Sequence, residues 1–326
     1  MINLLARYAE NIFWMARYME RAENLARILD VHETFSRDVH GFKNWHTIIR
    51  LNGDEKTFFS RYDEANAENV ANFYVLDSQN PTSIIFAVRA ARENARVLRP
   101  WISTEMWAQI NVFYNTVLAI TPADIAMPNL ARVCGEIKEA CQNHSGITEG
   151  TFYRDEGWYF YLLGKFIERA DQTTRLLDIG FMTVPGGMQS AGASQDFVHW
   201  HAVLRSVAGY HAFRRVYPRG LSPATIAGFV LYNESFPRSV VLCAREINVV
   251  LTRLKSRYKL RGGNAAMERI DEIMAALNSR TIEQVIEDGL HDYLDLLQVR
   301  LSAVTSELSR SFFGYQPPEV SQQQEA

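Results

Sequence analysis

The feature that most constrains this chain is that it reads twice. Residues 13–31, FWMARYMERAENLARILDV, and 161–179, YLLGKFIERADQTTRLLDI, share six identities in nineteen positions at an offset of 148. The identical pairs are Glu20/Glu168, Arg21/Arg169, Ala22/Ala170, Arg27/Arg175, Leu29/Leu177 and Asp30/Asp178, with Arg17/Lys165 and Glu23/Asp171 chemically similar. Trp45-His46 and Arg50 return as Trp200-His201 and Arg205 at an offset of 155. The segment ANFYVLDSQNPTSI (71–84) returns as AGFVLYNESFPRSV (227–240) at an offset of 156, followed by the pair Arg89/Arg245. Three blocks in one order at a nearly constant offset predict two copies of a unit of ~150 residues. The expected division is 1–150 for the first unit, 151–316 for the second and 317–326 for a frayed, Gln-rich tail.

The units read as helical. Between Asn11 and Val31 the apolar residues Ile12, Met15, Met19, Ala22, Ala26 and Leu29 fall at steps of three or four, which is one helix face. Similar spacing predicts helices over roughly 43–51, 64–76, 83–99, 104–120, 129–143, 157–179, 195–217, 222–232, 238–258, 265–277 and 281–312. Breakers stand between them, among them Gly53, Asn80-Pro81, Gly146, Pro185-Gly186-Gly187 and Gly262-Gly263. Thr281 with Gln284 has the spacing of a capping box. No stretch alternates with a period of two, so no sheet is expected. The predicted fold class is all-α, a bundle of two similar units, and at 47% apolar residues the chain can fill its core.

Composition removes several functions. A formal charge of −3 gives no electrostatic case for a nucleic-acid partner. No run of 18 apolar residues predicts a membrane span, and Arg7 and Glu10 interrupt any secretory apolar core. Cys134, Cys141 and Cys243 read as buried thiols in a reducing compartment, so a cytoplasmic location is expected. P-loop, Gly-x-Gly-x-x-Gly and Gly-x-Ser-x-Gly motifs are absent, as are the His-Glu-x-x-His and Glu-x-x-His metal motifs. Asp288-x-x-His291 is a lone relative of the latter. No cofactor and no metal are expected.

The chemistry that remains is in the repeated Glu-Arg helices. Adjacent residues on a helix point about 100° apart, so Glu20 and Arg21 cannot pair side by side. Each needs a partner one turn away or on another helix. Two like units packed about a pseudo-twofold axis would bring Glu20, Arg21, Glu168 and Arg169 together. Three readings follow. In the first the pairs are interhelical salt bridges that fix register. Alternatively Arg17, Arg21, Arg27, Lys165, Arg169 and Arg175 form a cleft for carboxylate or phosphate, joined by Arg238 and Ser239 at the start of the 238–258 helix. In the third reading Glu20 and Glu168 act as catalytic acid and base. Pro237 is expected in the first turn of that helix, with Arg238 set against the helix dipole.

The segment Arg17-Tyr18-Met19-Glu20-Arg21-Ala22-Glu23-Asn24-Leu25-Ala26-Arg27 resembles the alpha-E family, a bacterial all-helical domain with a Glu-Arg motif. Phe166-Ile167-Glu168-Arg169-Ala170-Asp171-Gln172-Thr173 resembles its second such helix, and Asn80-Pro81-Thr82-Ser83-Ile84 and Phe236-Pro237-Arg238-Ser239-Val240 look like further family blocks. The resemblance covers about residues 1–313. Thr173 and Thr174 stand where small or apolar residues are expected, and Asn233-Glu234 where Asp-Pro is common. The resemblance carries no settled activity. It implies the company of circularly permuted ATP-grasp proteins, which activate a carboxylate as an acyl phosphate and join it to an amine. The expected role is therefore a non-catalytic or substrate-holding subunit of a peptide or amide ligase system, with a peptide as possible substrate. An autonomous acid–base enzyme and a structural scaffold are the alternatives.

Overall fold

The computed structural model describes residues 4–37, 44–182, 194–260 and 262–314. The 317–326 tail and the Pro185-Gly186-Gly187 break lie outside the described residues. The first half runs α1 (Ala6–Ser36), α2 (His46–Asn52), α3 (Glu55–Phe59), α4 (Ala67–Ala71), a π-helical turn (Asn72–Leu76), α5 (Ile84–Val97), α6 (Thr104–Leu118) and α7 (Leu130–Thr151). The second runs α8 (Glu156–Met182), α9 (Ser194–Ser206), α10 (Tyr210–Val216), α11 (Pro223–Tyr232), α12 (Val240–Tyr258), α13 (Asn264–Ser279) and α14 (Ile282–Phe312). No strand occurs among the described residues.

Local chemistry explains where these helices start. Ser83, Ser103 and Ser239 each accept a hydrogen bond from the backbone N–H three residues on, opening α5, α6 and α12. Thr281 and Gln284 form the expected capping box of α14. Three expectations need correction. Pro237 and Arg238 precede the Ser239 cap, so neither lies in the first turn of α12. Gly146 does not end α7: the helix runs on to Thr151, and the open space around Gly146 leaves nothing to force a bend. The single helix expected over 195–217 is two, because Ala208 turns left-handed (φ 57°). Beside it Gly209 passes so near the Phe229 and Phe236 rings that a Cβ would lie 3.2 and 3.0 Å from them.

α1 and α8 lie side by side at the centre. α1 is flanked by α5 and α7, with α6 closing that group on the outside. α8 is flanked by α12 and α14, closed by α13. The halves thus repeat one packing order, and smaller features follow suit. Phe58 stacks on Tyr62 at 5.0 Å and meets Phe73 edge-on at 5.1 Å; Phe213 stacks on Tyr217 at 5.1 Å and meets Phe229 edge-on at 5.5 Å. A mostly apolar cavity of about 70 Å³ sits where the ends of α1 and α8 meet α2 and α9. Its walls include the repeat-related pairs Ile28/Leu176, Val31/Ile179 and Ile48/Val203. One apolar cluster runs unbroken from Ala9 in α1 to Phe313 beyond α14, so the halves share a core.

The α1–α8 distance is set by Gly164. A Cβ there would lie 2.2 Å from the Phe13 carbonyl oxygen and 3.1 Å from the Ala16 Cβ. Only a residue without a side chain lets the two backbones come this close. Gly164→Ala forces the central helices apart, and the strain exceeds the gain of about 1 kcal/mol in helix preference. The variant is expected to lose about 2 kcal/mol net, read as a lower urea midpoint. An equal or higher midpoint would contradict this contact.

Candidate functional site

The close approach of α1 and α8 lets long side chains from each helix reach across to the other. Glu168, wholly buried, receives Arg21 Nε at 2.7 Å on one oxygen and Arg21 Nη2 at 3.1 Å on the other. Arg17 Nε adds a third bond to it at 2.7 Å and sends Nη1 to the Thr305 hydroxyl of α14 at 3.1 Å. The reverse pair has the same form. Arg169 Nε and Nη2 bond the two Glu20 oxygens at 2.8 and 2.9 Å. The Glu-Arg motif of each half is therefore completed by the other half, through two bidentate forks.

The copies differ in the second cation on each carboxylate. Arg17 supplies it to Glu168, but its counterpart Lys165 makes no ion pair among the described residues. Arg238, from the turn before α12, serves Glu20 instead at 2.7 Å. Its guanidinium also reaches Asn24 at 2.7 Å and Glu23 at 2.9 Å, and Glu23 holds Arg27 as well. The Arg238 carbonyl accepts from the Thr173 hydroxyl at 3.2 Å, and the Pro237 carbonyl from Arg169 at 3.3 Å, so the turn is bound at both ends. In the first copy Thr82 stands in place of Arg238 and turns to Asp54. The sequence reading singled out Arg238 but missed Asn24, Thr173 and Thr305. The Asn24/Gln172 repeat pair was the available signal for the first; nothing in the sequence marks Thr305.

Every cation proposed for a cleft can now be placed. Arg17, Arg21, Arg169 and Arg238 meet on Glu20, Glu23 and Glu168. Arg27 pairs with Glu23, and Arg175 with Asp171 at 2.9 Å, each within its own helix. Ser239 is spent as the α12 cap, donating to the Asn233 carbonyl at 2.6 Å. The cavity touching the cluster, walled by Asn24, Gln172, Thr173 and Arg238 among others, measures about 10 Å³, at most the room of one water. His291 gives no Asp-x-x-His arrangement. Asp288 turns to Arg280 at 3.1 Å, while His291 Nδ1 meets Asp178 at 2.8 Å and Nε2 lies 3.7 Å from Asp295. Asp30, the repeat partner of Asp178, is neutralised by Lys138.

Electrostatics follow the geometry. Burial alone would raise the Glu168 carboxyl, but Arg21 and Arg17 overcome it and hold the group at about 2 against an ordinary 4.5. Glu20 is likewise held well below its usual range: burial opposes this, and Arg169 and Arg238 prevail. Lys165 is pushed down by burial and by Arg169 beside it. Both glutamates are thus fixed as anions, and neither has the raised pKa that a general acid near neutral pH requires.

Fold and site together define an all-helical bundle protein whose two central helices are locked crosswise by a repeated Glu-Arg motif. The chain belongs to the Alpha-E family, a predicted alpha-helical domain with a conserved ER motif, which residues 4–313 match. It is similar to an uncharacterised protein of Mycobacterium bovis and to two of Mycobacterium tuberculosis. Each is 27% identical over 317 residues, which cover 87% of this chain and 34% of the relative. The chain thus spans about a third of the length of these curated relatives. No solved structure matches. No described helix is long and apolar enough to cross a membrane.

Glu168→Gln removes the one carboxylate paired with buried Arg17 and half-buried Arg21, and is expected to cost about 3–5 kcal/mol. The same carboxylate sets an acid limit. Its folded pKa is depressed, so its stabilisation is complete above pH 4.5 and is lost as pH falls toward about 2. Urea unfolding between those pH values should show a slope that is shallower in Glu168→Gln. Equal slopes would mean that Glu168 is not held as an anion.

Proposed function

We propose that this chain is a non-catalytic helical subunit that works beside a circularly permuted ATP-grasp-type peptide or amide ligase, holding that enzyme or its peptide substrate in position. The observation that carries the reading is the length of the relatives: the same unit stands there beside about twice its own length of further sequence. A unit of this kind is used alongside another protein part. The resemblance supplies the identity of that part, and the lack of nucleotide-binding motifs here agrees with a division of labour.

The anions gathered by the central arginines are the chain's own glutamates, which favours rigid positioning over an open anion cradle. Binding an acyl phosphate or a peptide carboxylate at the centre is the second form of the proposal. Arg21 and Arg175, with side chains 23% and 36% exposed, are the cations it could reach. Glu20 and Glu168 as an independent acid–base pair are disfavoured by their low pKa values. We also infer that the two halves descend from one duplicated unit, supported by the shared packing order and the paired aromatic triads.

The test is reconstitution with the ATP-grasp-type protein. Ligation should need both proteins, and the chain alone should give none. Equal ligation without the chain would end the proposal. Arg21→Ala separates its two forms: rigid positioning lowers Tm but leaves the rate of the folded fraction within about twofold, whereas a cradle loses more than tenfold in rate at a temperature where the variant is folded.

A further inference from the structure

The two ends of the family unit lie at the same end of the bundle. The Leu4 backbone N–H donates to Glu156 Oε2, in the first turn of α8, at 2.8 Å. The Phe313 ring packs on Phe13 at 5.3 Å and on Phe160, one turn further along α8, at 6.0 Å. The matched region is 4–313, so any sequence continuous with the unit, before or after it, emerges at this pole. In the mycobacterial relatives, about two-thirds of each chain lies outside the matched part.

This pole also carries a cavity of about 320 Å³ between the α5–α6 turn, the α7–α8 turn and the end of α12. Trp101, Tyr153, Arg154, Arg257 and Tyr258 line it together with Leu4, Asp155 and Glu156. Tyr153 is 77% exposed, the most exposed of the large apolar and aromatic side chains among the described residues. The Arg154 guanidinium lies 3.6 Å from the Trp158 ring centre and is bonded to Glu149 at 2.7 Å. Arg257 is exposed and makes no ion pair among the described residues; its guanidinium lies 5.6 Å from the Tyr258 ring centre. The two acids of the cavity already accept backbone bonds, Asp155 from Gly157 at 2.9 Å and Glu156 from Leu4. Trp, Tyr and Arg around a concave site are the residue types that carry most binding energy at protein interfaces.

We propose that this pole is the docking surface for the second protein, and that it takes a loop or segment with a carboxylate beside apolar side chains. Arg257 pairs with the carboxylate, while Trp101, Tyr153 and Tyr258 cover the apolar part. Asp155 and Glu156 repel a wholly acidic occupant. The inference rests on the proposed pairing with an ATP-grasp-type protein and adds the place where it happens.

The experiment measures the Kd of the purified ATP-grasp-type protein for the full chain by calorimetry. Arg257→Glu and Tyr153→Ala should each weaken binding at least tenfold with unchanged circular dichroism and Tm. Val112→Glu, an exposed change on α6, should have no effect. Pole variants that bind like the wild type would overturn the surface while leaving the partnership intact. If the wild-type chain does not bind at all, the partnership fails, and the surface is decided in the full-length mycobacterial protein by cross-linking. There, cross-links from positions aligned with 101, 153 and 257 to sequence far from the junction support the surface. Cross-links gathered on the faces matching α6 or α13 overturn it.

Discussion

The structure depends on two carboxylates that cannot be satisfied within their own half of the chain. Glu20 belongs to α1 and is neutralised by Arg169 of α8 and Arg238 before α12; Glu168 belongs to α8 and is neutralised by Arg21 and Arg17 of α1. Moving such groups out of water is costly, and attraction inside the core compensates only with well-placed partners. The forks supply that placement, and Gly164 supplies the helix spacing that makes it reachable. Neither half can turn away without leaving a buried charge alone. The clasp therefore selects one register of α1 against α8 more than it adds stability over a well-packed apolar interface.

Much of this was legible because helix chemistry is local. The three- and four-residue steps of α1, the serine caps and the Thr281–Gln284 box are each set by neighbours along the chain. The repeated Glu-Arg pair could also be read, because it appears twice in matching surroundings. What the cations face could not be read. An arginine beside a cavity and an arginine beside a glutamate have the same spacing, and the Arg21 partner lies 147 residues away. Arg238 shows the same limit. Read as part of a helix it opposes a dipole; placed one residue before the cap it becomes the second counter-ion of Glu20. The break at Ala208 escaped although Gly209 stands beside it, because a lone glycine inside a helical pattern does not by itself end a helix; the Phe229 and Phe236 rings that crowd Gly209 lie far along the chain.

The two halves differ where charge is balanced. Arg17 finds Glu168, yet Lys165 in the matching place leaves Glu20 to Arg238. Asp30 meets an ammonium on α7, and Asp178 meets the imidazole of His291 on α14. Burial raises the Asp178 carboxyl, and the His291 bond offsets this only in part. The backbone plan is held in common while the counter-ions are chosen separately.

Having both ends of the matched unit at one pole gives this domain freedom of linkage. A neighbour spliced to either side starts from the same face. When covalently tethered it is present at an effective concentration of roughly millimolar, so even weak affinity suffices. A free-standing copy has no such tether and must compensate by a stronger grip at the contact itself. If the pole docks a partner as proposed, that stronger grip falls to its exposed rings and guanidinium, far from the crossed glutamates.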